Sequence, residues 1–209
     1  RIGWRLNTIT RWWWVRHAPS MGDQGIIHGQ DNVSANLSNT GAIRRLGKRL
    51  PKDGLWFSSN LRRTIETAKE ISGGVTPTEI PEFAEQNFGQ WNGQKWKELP
   101  KKEMDNFWTN YGDQKAPEGE SFRELVNRAT AKIKCMTAEN IGRDLIVVAH
   151  AGTIRAALTL ALNLPLNSAL YMSVSNLSLT KIEAFDENNP FPWRVEFANL
   201  PATLENKKI

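Results

Sequence analysis

Of 209 residues only one, Cys135, is a cysteine. That excludes an internal disulfide and fits a reducing compartment such as the cytoplasm. Histidine is nearly as scarce: His17, His28 and His150 show no paired ligand spacing, so no metal site and no cofactor are expected. No run approaches the roughly 20 apolar residues of a membrane-spanning helix, and no membrane partner is expected. The first eleven residues lack an apolar stretch of signal-peptide length. The chain begins with Arg1 rather than Met, which leaves open whether another segment precedes it. Repeats and low-complexity tracts are absent. Although the net charge is +5 and the pI about 9.4, basic residues nowhere form a block of five. They alternate with acids and apolar positions, as on an ordinary solvated surface, so no nucleic-acid partner is expected. An anionic small molecule stays open. The length and a hydrophobic fraction of 40% suit a single domain over residues 1–209. Oligomeric state is not legible.

What is present is two apolar runs, each ending in histidine. Trp12–Val15 leads into Arg16-His17-Ala18, and Leu145–Ala149 leads into His150-Ala151-Gly152. Continuous apolar runs suit strands covered on both faces, and the crevice beyond strand carboxyl ends is where open α/β sheets bind ligands. Between them the spacing predicts a long loop over 18–36 and a helix capped by Ser38 with Ile43, Leu46 and Leu50 on one face. A short strand at 55–57 follows, then a capping cluster at 58–60. The next helix carries Leu61, Ile65, Ala68 and Ile71 and closes at Gly73-Gly74, ahead of a weak strand at 75–80. Residues 86–116 read as a partly helical, Trp-rich excursion over the strand ends. The longest amphipathic helix starts at Glu120, an apolar helix spans Ile154 to Leu162, and late strands lie near 177–185 and 194–197. Strand–helix alternation predicts a three-layer α/β/α sandwich with a mainly parallel central sheet and an antiparallel last strand at the edge.

A neutral imidazole is a nucleophile that needs no metal. Attack on phosphorus requires positive donors around the equatorial oxygens, a task that suits the guanidinium fork. Arg16 is adjacent to His17, and Arg63 stands in the first turn of a helix that begins past a strand end. The alternative for Arg63 is a surface residue paired with Glu66. His150 supplies a second imidazole, with Ala151-Gly152 small enough for close backbone approach. A carboxylic acid is also needed at the leaving oxygen. Composition does not separate Glu85 from Glu82 or Glu79.

The chain resembles the histidine phosphatase superfamily, in its phosphoglycerate-mutase-like branch. The family's Arg-His-Gly appears as Arg16-His17-Ala18, with Ser20 where a Ser or Thr is usual. Its Ser-x-Leu-x-Arg block appears as Ser59 to Arg63, followed by Thr67-Ala68, a register that selects Arg63 over Arg62. Glu85 to Gly93 match Glu-x-x-Phe-Gly-x-Trp-x-Gly, Pro117 to Ser121 read Pro-Glu-Gly-Glu-Ser, and His150-Ala151-Gly152 close the set. The resemblance implies a phosphoglycerate-mutase-like fold and a metal-independent phosphomonoesterase working through phosphohistidine on a phosphorylated small molecule. His17 is then the nucleophile, Glu85 the proton donor, and Arg16, Arg63 and His150 the phosphate pocket. Ser20, Asp23, His28 and Ala151 are expected around the substrate. Two departures stand out: Ala18 replaces glycine, tolerable at negative φ, and Asp23 stands where the family has Asn.

Rival readings remain at this point. One is a mutase that returns the phosphoryl group to a bound glycerate, for which Lys95, Lys97, Lys101 and Lys102 could hold a second phosphate. Another is a non-catalytic module that binds phosphorylated partners, and a third is a phosphoprotein phosphatase.

Overall fold

A computed structural model describes residues 9–22, 25–185 and 192–203. They form one six-stranded sheet from β1 (Thr10–Arg16), β2 (Leu55–Ser58), β3 (Thr78–Glu79), β4 (Asp144–Ala149), β5 (Ser178–Ala184) and β6 (Trp193–Pro201), in the order β3-β2-β4-β1-β5-β6. The first four run parallel, while β5 is antiparallel to β1 and β6 to β5. The reversal therefore begins one strand earlier than expected, inside the sheet, with β6 at the edge. The weak strand expected at 75–80 shrinks to two residues, since Pro77 has no N–H to give a ladder.

Alternation across β1 divides the core. Trp12 and Trp14 stack at 5.3 Å and meet Phe83 edge-on, on the face covered by α4 (Phe122–Glu139) and α5 (Ala151–Leu162). Val15 and Trp13 face α1 (Thr40–Gly47) and α2 (Arg62–Ser72). At about 25 cal/mol per Å2 and roughly 200 Å2 each, burying Trp12 and Trp14 contributes about 5 kcal/mol apiece. These are the three layers the alternation predicts.

Helix starts depart from expectation. Asn39, not Ser38, caps α1 by accepting the Ala42 N–H at 3.1 Å; the Ser38 N–H is itself tied to Asn36. In addition, α5 starts at Ala151, three residues before Ile154, so the Gly152 N–H lies in its first turn without an intrahelical partner. The longest helix is closed at its start by a full capping box of Ser121 and Glu124.

Within 86–116 the described structure is two 3₁₀ turns and α3 (Lys101–Thr109). Its rings pack largely on one another, as in Trp91–Phe107 at 5.2 Å and Trp96–Trp108 at 5.3 Å. Rings that cluster among themselves leave no helical or strand period in the sequence. Among the described residues, no helix is long and apolar enough to cross a membrane.

Candidate active site

The parallel pairing of β1 with β4 sets Arg16 opposite Ala149, so the residues that follow, His17 and His150, emerge side by side. Their rings lie 5.1 Å apart in an edge-to-face arrangement. The His17 backbone is fixed at both ends: its N–H donates to Ala149 at 3.0 Å, and its carbonyl accepts from Asn176 at 2.8 Å. The Ala18 N–H donates to Thr67. Ala18 is buried in the core against α1 and α2, and its φ is not positive. The extra methyl thus sits in apolar packing without backbone strain.

His17 Nδ1 lies 2.6 Å from the Ala18 carbonyl, an oxygen that can only accept. Nδ1 therefore carries the proton and Nε2 keeps its lone pair. That lone pair faces Arg63, whose Nε–H donates to it at 3.3 Å. Arg63 is buried, and its two other nitrogens donate to Asp31 O at 2.8 Å and Gly29 O at 2.7 Å. Arg62, by contrast, points outward and pairs with Glu66. The surface alternative considered for Arg63 belongs to its neighbour.

His150 is fully buried behind His17 and is not among the residues lining the cavity. Its Nε2 lies 2.8 Å from Ser59 Oγ, while its Nδ1 has no hydrogen-bond partner. Arg16 donates to the Val174 carbonyl, and its buried Nε likewise has none. These are two of four buried side-chain polar atoms left without a partner among the described residues. An unpaired buried polar atom is costly, and the Arg16 Nε–H, which can only donate, calls for an anion beside the imidazoles. The Ser58-Ser59-Asn60 cluster does not cap α2 by side chain. Ser59 Oγ instead accepts the Leu61 N–H at 3.2 Å and orients His150.

Glu85 stands opposite, at the N-terminus of α5. Its Oε1 accepts the Gln86 N–H at 3.0 Å and the Gly152 N–H at 3.1 Å; Oε2 has only the long 3.4 Å share of the latter. Backbone N–H groups only donate, so a proton on this acid belongs on Oε2. The small Ala151-Gly152 pair, expected to admit a bound anion, here admits the protein's own carboxylate. A Cβ at Gly152 would lie 2.3 Å from Oε1. Gly152→Ala should therefore swing the carboxylate aside and lower any turnover that depends on it about 10- to 100-fold, with little loss of thermal stability, since alanine favours helix. Unchanged kinetics would show that Glu85 needs no such fixed seat.

These groups open into a cavity of about 340 Å3 lined by Arg16, His17, Arg63, Glu85 and Arg155 at its charged end. Ser20, His28 and Ala151 also line it, with Trp96, Trp108 and Tyr111 along the wall. Asp23 lies outside the described residues. Arg155, which donates to the Met172 carbonyl at 3.0 Å, was not anticipated. It is the one charged residue in α5, and that oddity is the signal that could have found it.

Burial, and after it the Arg63 charge, holds the pKa of both His17 and His150 well below the ordinary 6.5. Both imidazoles are neutral in the fold, whereas in the unfolded chain they take up protons near pH 6.5. The unfolded state then binds more protons as pH falls, so stability present above 6.5 is lost below it. Each histidine contributes a slope of up to about 1.4 kcal/mol per pH unit. Urea midpoints measured between pH 7.5 and 5.5 should fall with pH; a flat series contradicts the neutral pair.

Likeness to known proteins is found at the level of family and fold. Residues 12–196 match the model of the histidine phosphatase superfamily (branch 1). The metal-independent phosphoserine phosphatase of Arabidopsis thaliana is 30% identical over 156 residues, covering 68% of this chain and 64% of that protein. A protein of Yersinia pestis provisionally named a phosphoglycerate mutase is 27% identical over 202 residues, covering 91% and 93%. The solved structure of a mycobacterial glucosyl-3-phosphoglycerate phosphatase superposes with a TM-score of 0.75 at 24% identity, over 92% of this chain and 99% of that one, a likeness of fold. With the match spanning most of its length, the chain belongs to the histidine phosphatase superfamily, branch 1.

Proposed function

We propose that the chain is a metal-independent phosphomonoesterase that hydrolyses a phosphorylated small molecule through phosphohistidine. One observation carries this reading: His17 Nε2 offers its lone pair beside two buried nitrogens, the Arg16 Nε–H donor and His150 Nδ1, that have no partner. The phosphate dianion supplies what they lack. As it binds, one oxygen takes the Arg63 Nε–H and frees Nε2. Ser59 Oγ–H donates to His150 Nε2, which leaves His150 Nδ1–H to reach a second oxygen.

Nε2 then attacks phosphorus and the ester P–O bond breaks, the leaving oxygen taking the proton from Glu85 Oε2. In the second half Glu85 removes a proton from water, whose oxygen attacks phosphorus; the N–P bond breaks and phosphate departs. Arginine and imidazole donors stabilise the in-flight phosphoryl group as a metal would elsewhere. Ser20, His28 and Ala151 contact the rest of the substrate, together with the 86–116 excursion, and a single unpaired cysteine accords with a cytoplasmic setting.

The names of relatives bring a mutase into consideration. Against it, none of Lys95, Lys97, Lys101 and Lys102 lines the cavity, and Lys101 and Lys102 border a separate shallow surface. Phosphate release from a set of phosphorylated metabolites, measured beside 3-phosphoglycerate isomerisation with a bisphosphate primer, tests the assignment. Isomerisation that matches hydrolysis in rate overturns it.

A further inference from the structure

The segment that carries Glu85 has almost no regular structure to satisfy its backbone; a 3₁₀ turn at Pro81–Phe83 is all that precedes it. Four consecutive carbonyls, 82 to 85, are held instead by side chains of two helices, with loop residue Gln30 adding a 3.0 Å bond to the last. Arg128 of α4 donates to Glu82 O at 2.7 Å and Glu85 O at 3.0 Å. Thr153 of α5 donates to Phe83 O at 3.0 Å and Ala84 O at 3.2 Å. Arg128 is itself fixed by a two-nitrogen pair with Glu120, at 3.0 and 2.6 Å. Glu120 continues the grip, its Oε1 accepting the Asn87 N–H at 2.9 Å and its carbonyl accepting Gln86 Nε2 at 3.0 Å.

The pair is mostly buried, with side-chain exposures of 23% and 16%. Buried ion pairs seldom stabilise more than apolar residues of equal volume would, so stability alone is a weak reason for one here. What this pair supplies is geometry. A guanidinium has five donors in one plane and can serve two carbonyls and a carboxylate at once, which an ammonium on a flexible stem cannot do. Arg128 does not line the cavity, so it acts through the peptide it holds.

We propose that Arg128, locked by Glu120, is a positioning residue for proton transfer, setting Glu85 Oε2 against the leaving oxygen without touching substrate. This rests on Glu85 being the acid. Arg128→Met should lower kcat for alkyl phosphates roughly 10- to 100-fold with KM little changed. Aryl phosphates with acidic leaving groups should be nearly unaffected, so the dependence of rate on leaving-group pKa steepens. Arg128→Lys should recover only part of the loss. Combined with Glu85→Gln, Arg128→Met should slow the enzyme no further, because both changes remove one function.

Equal slowing of alkyl and aryl substrates by Arg128→Met, or multiplicative losses in the double variant, overturns the clamp alone. An unaltered leaving-group dependence in Glu85→Gln overturns both the clamp and the acid assignment. Should melting curves show that Arg128→Met does not fold, Glu120→Gln, which keeps the arginine and the volume, undergoes the same comparison with the same expected pattern.

Discussion

Replacing His17 by alanine is expected to lower phosphatase turnover by about four orders of magnitude or more, the scale of losing a covalent nucleophile. The cationic cup would survive, since Arg63 remains tied to the Gly29 and Asp31 carbonyls and Arg16 to Val174. Phosphate binding should therefore persist while chemistry stops. Binding without turnover separates a missing nucleophile from a collapsed site, and it also separates an enzyme from a module that merely recognises phosphate. Rapid acid-free quenching of wild type with labelled substrate should trap label on protein, stable to base and labile to acid, and absent from the alanine variant. Hydrolysis by His17→Ala within tenfold of wild type would end the phosphohistidine reading.

Glu85→Gln should produce a selective defect. An alkoxide leaves badly without a proton, whereas an aryl oxide of low pKa leaves unaided. Turnover of alkyl phosphates should then fall about 10²- to 10³-fold while aryl phosphates lose much less. Glutamine is nearly the same size as glutamate and keeps a carbonyl oxygen able to accept the Gln86 and Gly152 N–H groups that now reach Oε1. The seat at the start of α5 is thus preserved and only the transferable proton is lost. Comparable losses on both substrate classes would mean that Glu85 holds the site together and does not deliver a proton.

Much of this site was readable along the chain. The apolar runs ending at His17 and His150 behaved as buried strands because each is covered on both faces, which makes apolar composition continuous. Arg63 could be chosen over Arg62 only through family resemblance; physically, the helix turns Arg63 inward and leaves Arg62 to Glu66. Glu85 was a similar case, one acid among several in a segment without periodicity. Arg128 was not readable at all, and Arg155 only as the lone charge of an otherwise apolar helix. A basic residue on a helix gives the same pattern whether it meets solvent or a neighbouring segment's carbonyls.

Local chemistry along the chain therefore settled which apolar runs become strands and that histidines with an arginine neighbour stand at their ends. It could not say that β4 lies beside β1, because nothing local pairs segments about 130 residues apart; interstrand hydrogen bonds and two-faced burial did that. That pairing joined the imidazoles. Packing of α4 and α5 against the irregular segment at 82–87 then decided where the acid sits. Both are long-range contacts, whose free energy depends on what lies across the core and not on the residues next in line.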